Sequence, residues 1–449
     1  MTAALSQSAK TAISNVRQAE IESTVAGLKI FLGKSSWVGK NNYYAKDTIS
    51  RLERATPATP QHKRNLAQYI AASVTLHAKD GWSYLGRAVG CILTGDTHRA
   101  LHLAYYAELR AAMSLLAGFG IGIFNNQHFI VQQANSATKL CSGQGTHLMA
   151  WLALEEWAQM AESRDAFAEL IRPDSYSLNQ WFQSQGGAIA VAPHAKEWFM
   201  QWGMDLRLVT KDRDARNESS YRPDGVPVTW EANAAACLEF VRDMWGLLEP
   251  STTSSFEQID RHILRLSIEQ FYFGSTGKQA SSGDSKFEKL IDRFLTGLSL
   301  QPSAKRRIKR FLCRQISPAD PLVFKYSSRV PSNIWEDSLA VVSRALLLLR
   351  LATGTAHRLL ENADINADHL AFWWKQLGES CGIWPPGHPP SELHDLWTDV
   401  QDSLVELAQV ESRDPELFDS FSGIALELAR ELSVLASHER VAIWSLCPS

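Results

Sequence analysis

Cysteine is scarce in this chain, and its spacing removes two common kinds of site. The 449 residues include six cysteines that lie dozens of residues apart: Cys91, Cys141, Cys237, Cys313, Cys381 and Cys447. No two of them form a C-x-x-C pair, which excludes a zinc knuckle and a thioredoxin-like redox motif. Sparse cysteine in a chain of this size is typical of a reducing compartment. We therefore expect a cytoplasmic protein, and no motif in the sequence predicts a metal or a cofactor.

The chain also lacks a strong excess of charge of either sign. It has 45 Lys and Arg against 48 Asp and Glu, which gives a formal net charge of −3 at pH 7. This balance excludes a globally basic nucleic-acid binder, but it leaves local basic patches open.

Long apolar runs are missing as well. The first residues, MTAALSQSAKTAISNVRQAEIES, contain no apolar core of signal-peptide length. No run approaches the roughly 18 apolar residues of a membrane span. The nearest candidate, 101–124, carries Glu108 and Arg110 near its middle. We expect a soluble protein with no membrane partner.

Helical periodicity is what the sequence has in abundance. Apolar residues recur three and four apart in 64–90, and Asp96 or Thr97 is placed to cap a further helix that Gly118 ends. The same periodicity returns in four later segments, 231–249, 256–273, 285–315 and 335–361. These segments predict a mainly α protein built of multi-helix bundle domains.

Residues 185–230 have a different pattern. The segments GGAIAVAP, DLRLVTK and GVPVTW are short and β-like, and a polar stretch with turn chemistry, DRDARNESSYRPDG, divides them. We therefore predict a small β-like insertion near 185–230. It would separate an N-terminal helical domain, 1–184, from a C-terminal helical domain, 231–449.

The predicted helix after Asp96 carries an unusual polar stripe. His98, His102, Tyr106 and Arg110 recur every four residues, so they lie along one helix face. His-x-x-x-His is a spacing that can bind metal, but no third ligand is evident, and a hydrogen-bonded histidine pair explains it better. Glu108 and Arg110 lie among apolar residues, where an unpaired charge would cost several kcal/mol. We expect each of the two to have a polar partner.

The same helix carries a family resemblance. The pattern Y-Y-A-x-x-R-A-A-x-x-L-L, followed by a glycine turn and His128, resembles the helix pair of HEPN-superfamily domains and the helical proteins of the YaaC type. The similar region covers about 90–160. HEPN domains are compact α-helical bundles common in bacterial toxin–antitoxin and antiphage systems, so the resemblance implies a helical protein that binds or acts on RNA.

Ribonucleases of that family carry Arg, often followed by Asn, and then His after four to six residues. Arg216 and Asn217 repeat the Arg-Asn pair, but Tyr221 stands where His is expected. A tyrosine is a poor general base at neutral pH, so the departure argues against the family's usual RNA cleavage. The loop is either structural, or it forms a site in which His102 or His128 replaces the missing histidine.

The site version of this hypothesis places 102–128 on one wall of a cavity and 212–222 on the facing wall. The proposed catalytic residues are Arg216, Asn217 and His128. The proposed substrate-binding residues are His102, Tyr106, Arg110, Tyr221 and Arg222.

A second candidate surface lies in SAKRRIKRFLCRQ, residues 303–315, which holds six basic residues and no acid. On a helix, Lys305 aligns with Lys309 and Arg306 with Arg310, which gives a basic face that could bind nucleic-acid phosphates. The face could equally bind the acidic C-terminal helices in 391–431, either of this chain or of another copy.

Two functions remain open at this stage. The first is an accessory or effector protein of a bacterial defence or toxin-type system, built on a HEPN-like helical domain and binding or acting on RNA. The second is a non-enzymatic helical scaffold that binds a protein partner, or a second copy, through its basic helix and acidic C-terminal helices. Convergence of the predicted site residues in one pocket would favour the first.

Overall fold

The structure is a computed structural model that describes residues 4–207, 232–251, 254–281, 283–331, 333–393 and 395–448. Over the first half of the chain its helices are α1 Gln7–Ser14, α2 Gln18–Ala26, α3 Lys29–Leu32, α4 Thr48–Arg54, α5 Pro60–Ile92, α6 Thr97–Ala117, α7 Thr146–Trp157, α8 Ala161–Leu170, α9 Leu178–Trp181 and α10 Ala188–Trp202. Those of the second half are α11 Ala234–Leu248, α12 Glu257–Thr276, α13 Ser285–Thr296, α14 Pro302–Leu312, α15 Leu322–Ser328, α16 Ile334–Asn362, α17 Ala371–Ser380, α18 Asp395–Arg413, α19 Phe421–Glu427, α20 Ala429–Leu435 and α21 Glu439–Leu446. The predicted mainly α class is confirmed.

Three long helices, α5, α6 and α16, pack on one another at the centre of the fold. Small residues allow the close approach: a Cβ atom added to Gly81 of α5 would lie 2.5 Å from Cδ2 of Leu349 and 3.3 Å from the carbonyl oxygen of Ala107. The indole N–H of Trp82 donates to the Thr353 hydroxyl across 2.9 Å, which satisfies a polar group inside this contact. Helices from the predicted N-terminal and C-terminal domains therefore share one buried core, and the predicted boundaries stay predictions.

Helix α16 is long and apolar enough to cross a membrane by length and composition. However, 94% of its most apolar 18-residue window is buried inside the protein. Its apolar length is explained by its place between other helices. Arg344 and Arg350 interrupt its sequence, so this helix contains no unbroken apolar run of membrane-spanning length.

Among the described residues, the β structure lies outside the predicted insertion. Strands β1 Ile121–Ile123, β2 Gln127–Gln133 and β3 Ser136–Ser142 form an antiparallel sheet in the order β1-β2-β3. The β-like assignment was wrong for the segment that forms helix α10, and residues 208–231 lie outside the described part of the chain. In α10 the buried side chains recur at helical spacing: Val191, Ala195, Trp198, Phe199 and Trp202. Packing of that apolar face outweighs the local pattern of GGAIAVAP.

Candidate functional site

Helix α6, which carries the polar stripe, begins and ends at the residues that the sequence predicts. The Asp96 side chain accepts the backbone N–H of Arg99 at 3.1 Å, and Gly118 caps the other end, as the sequence predicts. Alanines make up much of the buried face, where α6 meets α5 and α16. The remaining face keeps His102, Tyr106 and Arg110 half-buried along one line, so three of the predicted substrate-binding residues do lie together.

Around Tyr106 these residues meet others to form what we call the Tyr–His cluster: Tyr84 of α5, His102, Tyr105 and Tyr106 of α6, and His147 of α7. The Tyr84 ring stacks on Tyr106 with 5.4 Å between centroids. The imidazoles of His102 and His147 both meet the Tyr106 ring edge to face, at 5.0 and 5.7 Å. Two imidazoles therefore share one tyrosine ring.

Tyr105 holds one of those imidazoles in place. Its ring stacks on His147 at 5.4 Å with an interplanar angle of 17°, and 2.9 Å separates its hydroxyl oxygen from Nδ1 of His147. Tyr105 itself is buried, whereas Tyr84, His102, Tyr106 and His147 are only half-buried. The cluster thus combines one buried tyrosine, Tyr105, with aromatic and imidazole rings that reach solvent.

Arg110 lies one turn along α6 from Tyr106 and has the partners expected of it. Its Nη1 donates to Nδ1 of His77 across 2.9 Å and lies 3.8 Å from a carboxylate oxygen of Asp80. Burial and the neighbouring Arg110 lower the pKa of His77 to about 3, so this imidazole is neutral and accepts the bond. Because 30% of the Arg110 side chain is exposed, it can also bind an external anion.

Glu108 points to the opposite side of α6 and is fully buried. Its Oε1 accepts the backbone N–H of Asp205 at 3.1 Å, so the expected polar partner is confirmed. Burial and the nearby Asp205 carboxylate raise the pKa of Glu108 well above its ordinary value, while Arg344 opposes that shift. This contact attaches the short 3-10 helix Met204–Arg207 to the back of the helix that carries the cluster.

His128 has a different environment from the one proposed for a proton carrier. It lies fully buried on β2, where Nδ1 accepts the backbone N–H of Phe124 at 3.3 Å and Nε2 donates to the Gln144 carbonyl at 2.9 Å. Burial lowers the pKa of this imidazole. Nδ1 thus holds the β1–β2 turn and Nε2 holds the segment between β3 and α7, so His128 is not part of the site proposed below.

The other predicted site residues are Arg216, Asn217, Tyr221 and Arg222. They lie in 208–231, outside the part of the chain that the structure describes, so the predicted facing wall stays a prediction. Within the described ranges, no group of three His, Cys, Asp or Glu side chains is arranged to hold a metal ion.

The basic segment does form a helix, α14, which packs on α13. Lys309 is tied to Asp292, with Nζ 2.8 and 2.9 Å from its two carboxylate oxygens, and this bond raises the Lys309 pKa. Arg306 and Arg310 are exposed, and neither they nor Lys305 has an ion-pair partner among the described residues. The predicted nucleic-acid surface therefore keeps Lys305, Arg306 and Arg310, with Lys309 already neutralised.

The acidic C-terminal helices form a groove of about 740 Å³ between α18 and α20. Five carboxylates line it: Asp399, Asp402, Glu406, Glu427 and Glu431. Arg440 closes its floor, with Nη1 2.5 Å from a carboxylate oxygen of Asp399, and Arg430 lies at its edge.

Sequence reasoning missed Tyr84, Tyr105 and His147 as members of the cluster. Tyr105 could have been predicted, because it adjoins Tyr106 in the sequence. Tyr84 and His147 lie on other helices, and no sequence spacing relates them to Tyr106. Comparison of the chain with family models, with curated proteins and with solved structures found no match. The geometry of the cluster is therefore the basis of the proposal that follows.

Proposed function

We propose that the chain binds single-stranded RNA at the Tyr–His cluster, as an accessory or effector protein of a bacterial defence or toxin-type system. The observation that carries the proposal is the stack of Tyr84 on Tyr106 with two imidazoles against the same ring. Half-buried aromatic and imidazole rings are what proteins use to stack unpaired bases. Such stacking tolerates many base sequences.

Cationic groups near the cluster suit the phosphates between such bases. Arg110 is part-exposed one turn away on the same helix, and the guanidinium carbon of exposed Arg87 lies 5.9 Å from the Tyr84 ring centre. Arginine next to aromatic rings is the combination typical of single-strand binding surfaces. The predicted Arg216 and Asn217 would add to this surface under the same proposal.

A catalytic form of this proposal is that the protein also cleaves the bound RNA, with the two imidazoles as general acid and general base. One of His102 and His147 removes the proton of a ribose 2′-hydroxyl while that oxygen attacks the adjacent phosphorus. The other protonates the departing 5′-oxygen, which leaves a 2′,3′-cyclic phosphate and a 5′-hydroxyl with no other reactant consumed. Histidine suits both roles because its ordinary pKa lies close to neutral pH.

The test measures binding of a fluorescent single-stranded RNA to the full chain. Tyr106→Ala should weaken binding about tenfold or more, because one stacked base contributes roughly 1–3 kcal/mol. The matched control is Tyr43→Ala, which removes another part-exposed tyrosine that stacks on a histidine, His62, at 4.4 Å. Wild-type affinity in a Tyr106→Ala, His147→Ala double variant would overturn the proposal. Loss of cleavage with binding retained in His102→Ala or His147→Ala would identify the catalytic form.

A second candidate is a scaffold, and the acidic groove between α18 and α20 favours it. Its five carboxylates complement the exposed arginines of α14, so a second copy of this chain could insert that helix. Charge reversal at Asp402 and Glu406 should then reduce a self-association measured by sedimentation, and Arg306→Glu should do the same. A chain that sediments as a monomer at every concentration would remove this candidate.

A further inference from the structure

A separate cavity of about 190 Å³ lies between α12 and α14, away from the residues of the Tyr–His cluster. We call it the α12–α14 cavity. The residues that line it and matter for its chemistry are Asp174, Arg261, His262, Arg307, Phe311 and Ser317. Arg261 and Arg307 can only donate hydrogen bonds, and Asp174 is the one carboxylate among the described residues that line the cavity.

Two arginines and one carboxylate set the charge of the cavity. Arg261 donates to Asp174 across 2.6 Å and also contacts Glu257 at 2.9 Å, so its charge is largely matched. Arg307 is held less firmly, because its Nη2 lies 3.9 Å from Asp174 and 64% of its side chain is exposed. Burial raises the pKa of Glu257, which weakens the negative side of the balance. Arg307 is therefore the cation that can form an ion pair with a bound anion.

His262 is a second polar residue in the wall of the cavity. Its Nδ1 accepts Nη2 of Arg265 at 3.0 Å, and burial together with Arg265 lowers its pKa to about 3. The neutral ring must then carry its hydrogen on Nε2. Across the described ranges no protein atom accepts a hydrogen bond from that Nε2–H, which is left to solvent or to a ligand. Beneath it Arg265 is fully buried and its Nε also has no hydrogen-bond partner among the described residues.

The backbone at the cavity is strained. Asp174 and Ser175 are consecutive non-glycine residues in the left-handed region, with φ of 51° and 70°, and Ser317 has φ of 51°. Such conformations cost free energy and persist where the surrounding structure imposes them, often at binding sites. Here the Asp174 N–H donates to Glu257 at 2.8 Å, and the Asp174 carboxylate lies beside both arginines.

We propose that the α12–α14 cavity binds a phosphate monoester. Arg307 pairs with the dianion in place of its long contact to Asp174, and His262 Nε2–H and the Ser317 hydroxyl donate to the remaining oxygens. The phosphate comes either from a free small molecule or from the 5′ end of an RNA strand whose later phosphates contact Arg306 and Arg310. This site stands independently of RNA binding at the Tyr–His cluster.

The experiment uses calorimetry on the full chain with inorganic phosphate, and fluorescence anisotropy with one oligoribonucleotide carrying either a 5′-phosphate or a 5′-hydroxyl. Arg307→Gln should weaken phosphate binding about tenfold, the effect of losing one charge-assisted pair. For inorganic phosphate the matched control is Arg306→Gln, since it removes the same charge one residue away and does not line the cavity. Thermal unfolding checks that both variants are folded.

Each outcome decides the proposal. A preference for the 5′-phosphorylated strand that Arg307→Gln removes supports the site and identifies RNA ends as the source. Phosphate binding that depends on Arg307, with equal affinity for both strands, supports the site and identifies small phosphorylated molecules. Absence of phosphate and 5′-phosphate binding at millimolar concentration overturns it, and so does an equal loss of inorganic phosphate binding in Arg306→Gln and Arg307→Gln.

Discussion

Nε of Arg344 donates to Oδ2 of Asp205 across 2.5 Å, and at most 1% of either side chain is exposed. Asp205 also donates its backbone N–H to Glu108, so a helix from each half of the chain is tied to the short 3-10 helix Met204–Arg207. Glu108, Asp205 and Arg344 are thus two acidic residues and one cationic residue that are all buried away from water. Their energetics are therefore open to direct measurement.

Removal of the acid from this pair should be costly. Asp205→Ala removes the carboxylate that the buried Arg344 guanidinium is bonded to, and we expect a loss of about 3–5 kcal/mol in the free energy of unfolding. Urea denaturation measures it. The control is Glu427→Ala, whose partner Arg413 is 3.7 Å away on the exposed surface, and its effect should stay within roughly 1 kcal/mol. Similar losses in both variants would contradict the prediction.

Glu108 should give the protein a distinct pH dependence. Its raised pKa means that the folded state keeps a proton that the unfolded state releases above about pH 4.5. Since the folded state then binds more protons, the contribution of Glu108 to stability is fully present below that pH and declines as pH rises. Glu108→Gln mimics the protonated form, so its free energy of unfolding should decline less between pH 5 and pH 9. Parallel curves for the two proteins would show that Glu108 is ionised when folded.

Two glycines on α5 predict opposite effects of the same substitution. A Cβ atom on Gly86 would overlap the Ala436 carbonyl oxygen and lie 3.0 Å from the His438 nitrogen, so Gly86→Ala should destabilise by about 1–3 kcal/mol. A Cβ atom on Gly90 would meet only the Ala436 Cβ, at 3.5 Å. Gly90→Ala should therefore stabilise by roughly 0.5–1 kcal/mol through helix propensity. Melting temperatures that move in the same direction would refute the packing described for this face.

The basic helix α14 predicts a selective change in salt dependence. If its exposed face contacts RNA phosphates, Arg306→Glu with Arg310→Glu should flatten the plot of log affinity against log salt concentration. Lys309→Gln should leave the slope nearly unchanged, because Asp292 already neutralises that lysine. A slope reduced as much by Lys309→Gln as by the double variant would show that the ion pair opens on binding.

The features that the sequence predicted are those with a local cause. Asp96 and Gly118 delimit α6 through capping, which needs only neighbouring residues. In contrast, the break between α7 and α8 has no such local cause, because Met160 precedes α8 and no side chain caps that helix. The strands β1 to β3 were missed although each pairs with its neighbour in the chain, because the centre of β2 is buried on both faces and its sequence does not alternate.

The residues of the candidate site also differ in whether a local sequence pattern predicts their position. His102, Tyr106 and Arg110 share one helix face, so their spacing in the sequence predicts that they lie together. Tyr84 and His147 reach them only through the packing of α5 and α7 on α6, which no sequence pattern records. For His128, burial and two backbone bonds became visible only once β1 and β2 were paired.

The position of α16 has a consequence for how the protein is made. Helices α5 and α6 leave the ribosome long before α16, yet α16 covers the side of them that carries Gly81 and Trp82. Nascent chains that stop short of Ile334 would expose that apolar side, and fragments that begin after Ala117 would expose α16 itself. Synthesis must therefore pass Asn362 before the centre can close, and two halves of a split gene should give soluble protein only when they are translated in the same cell.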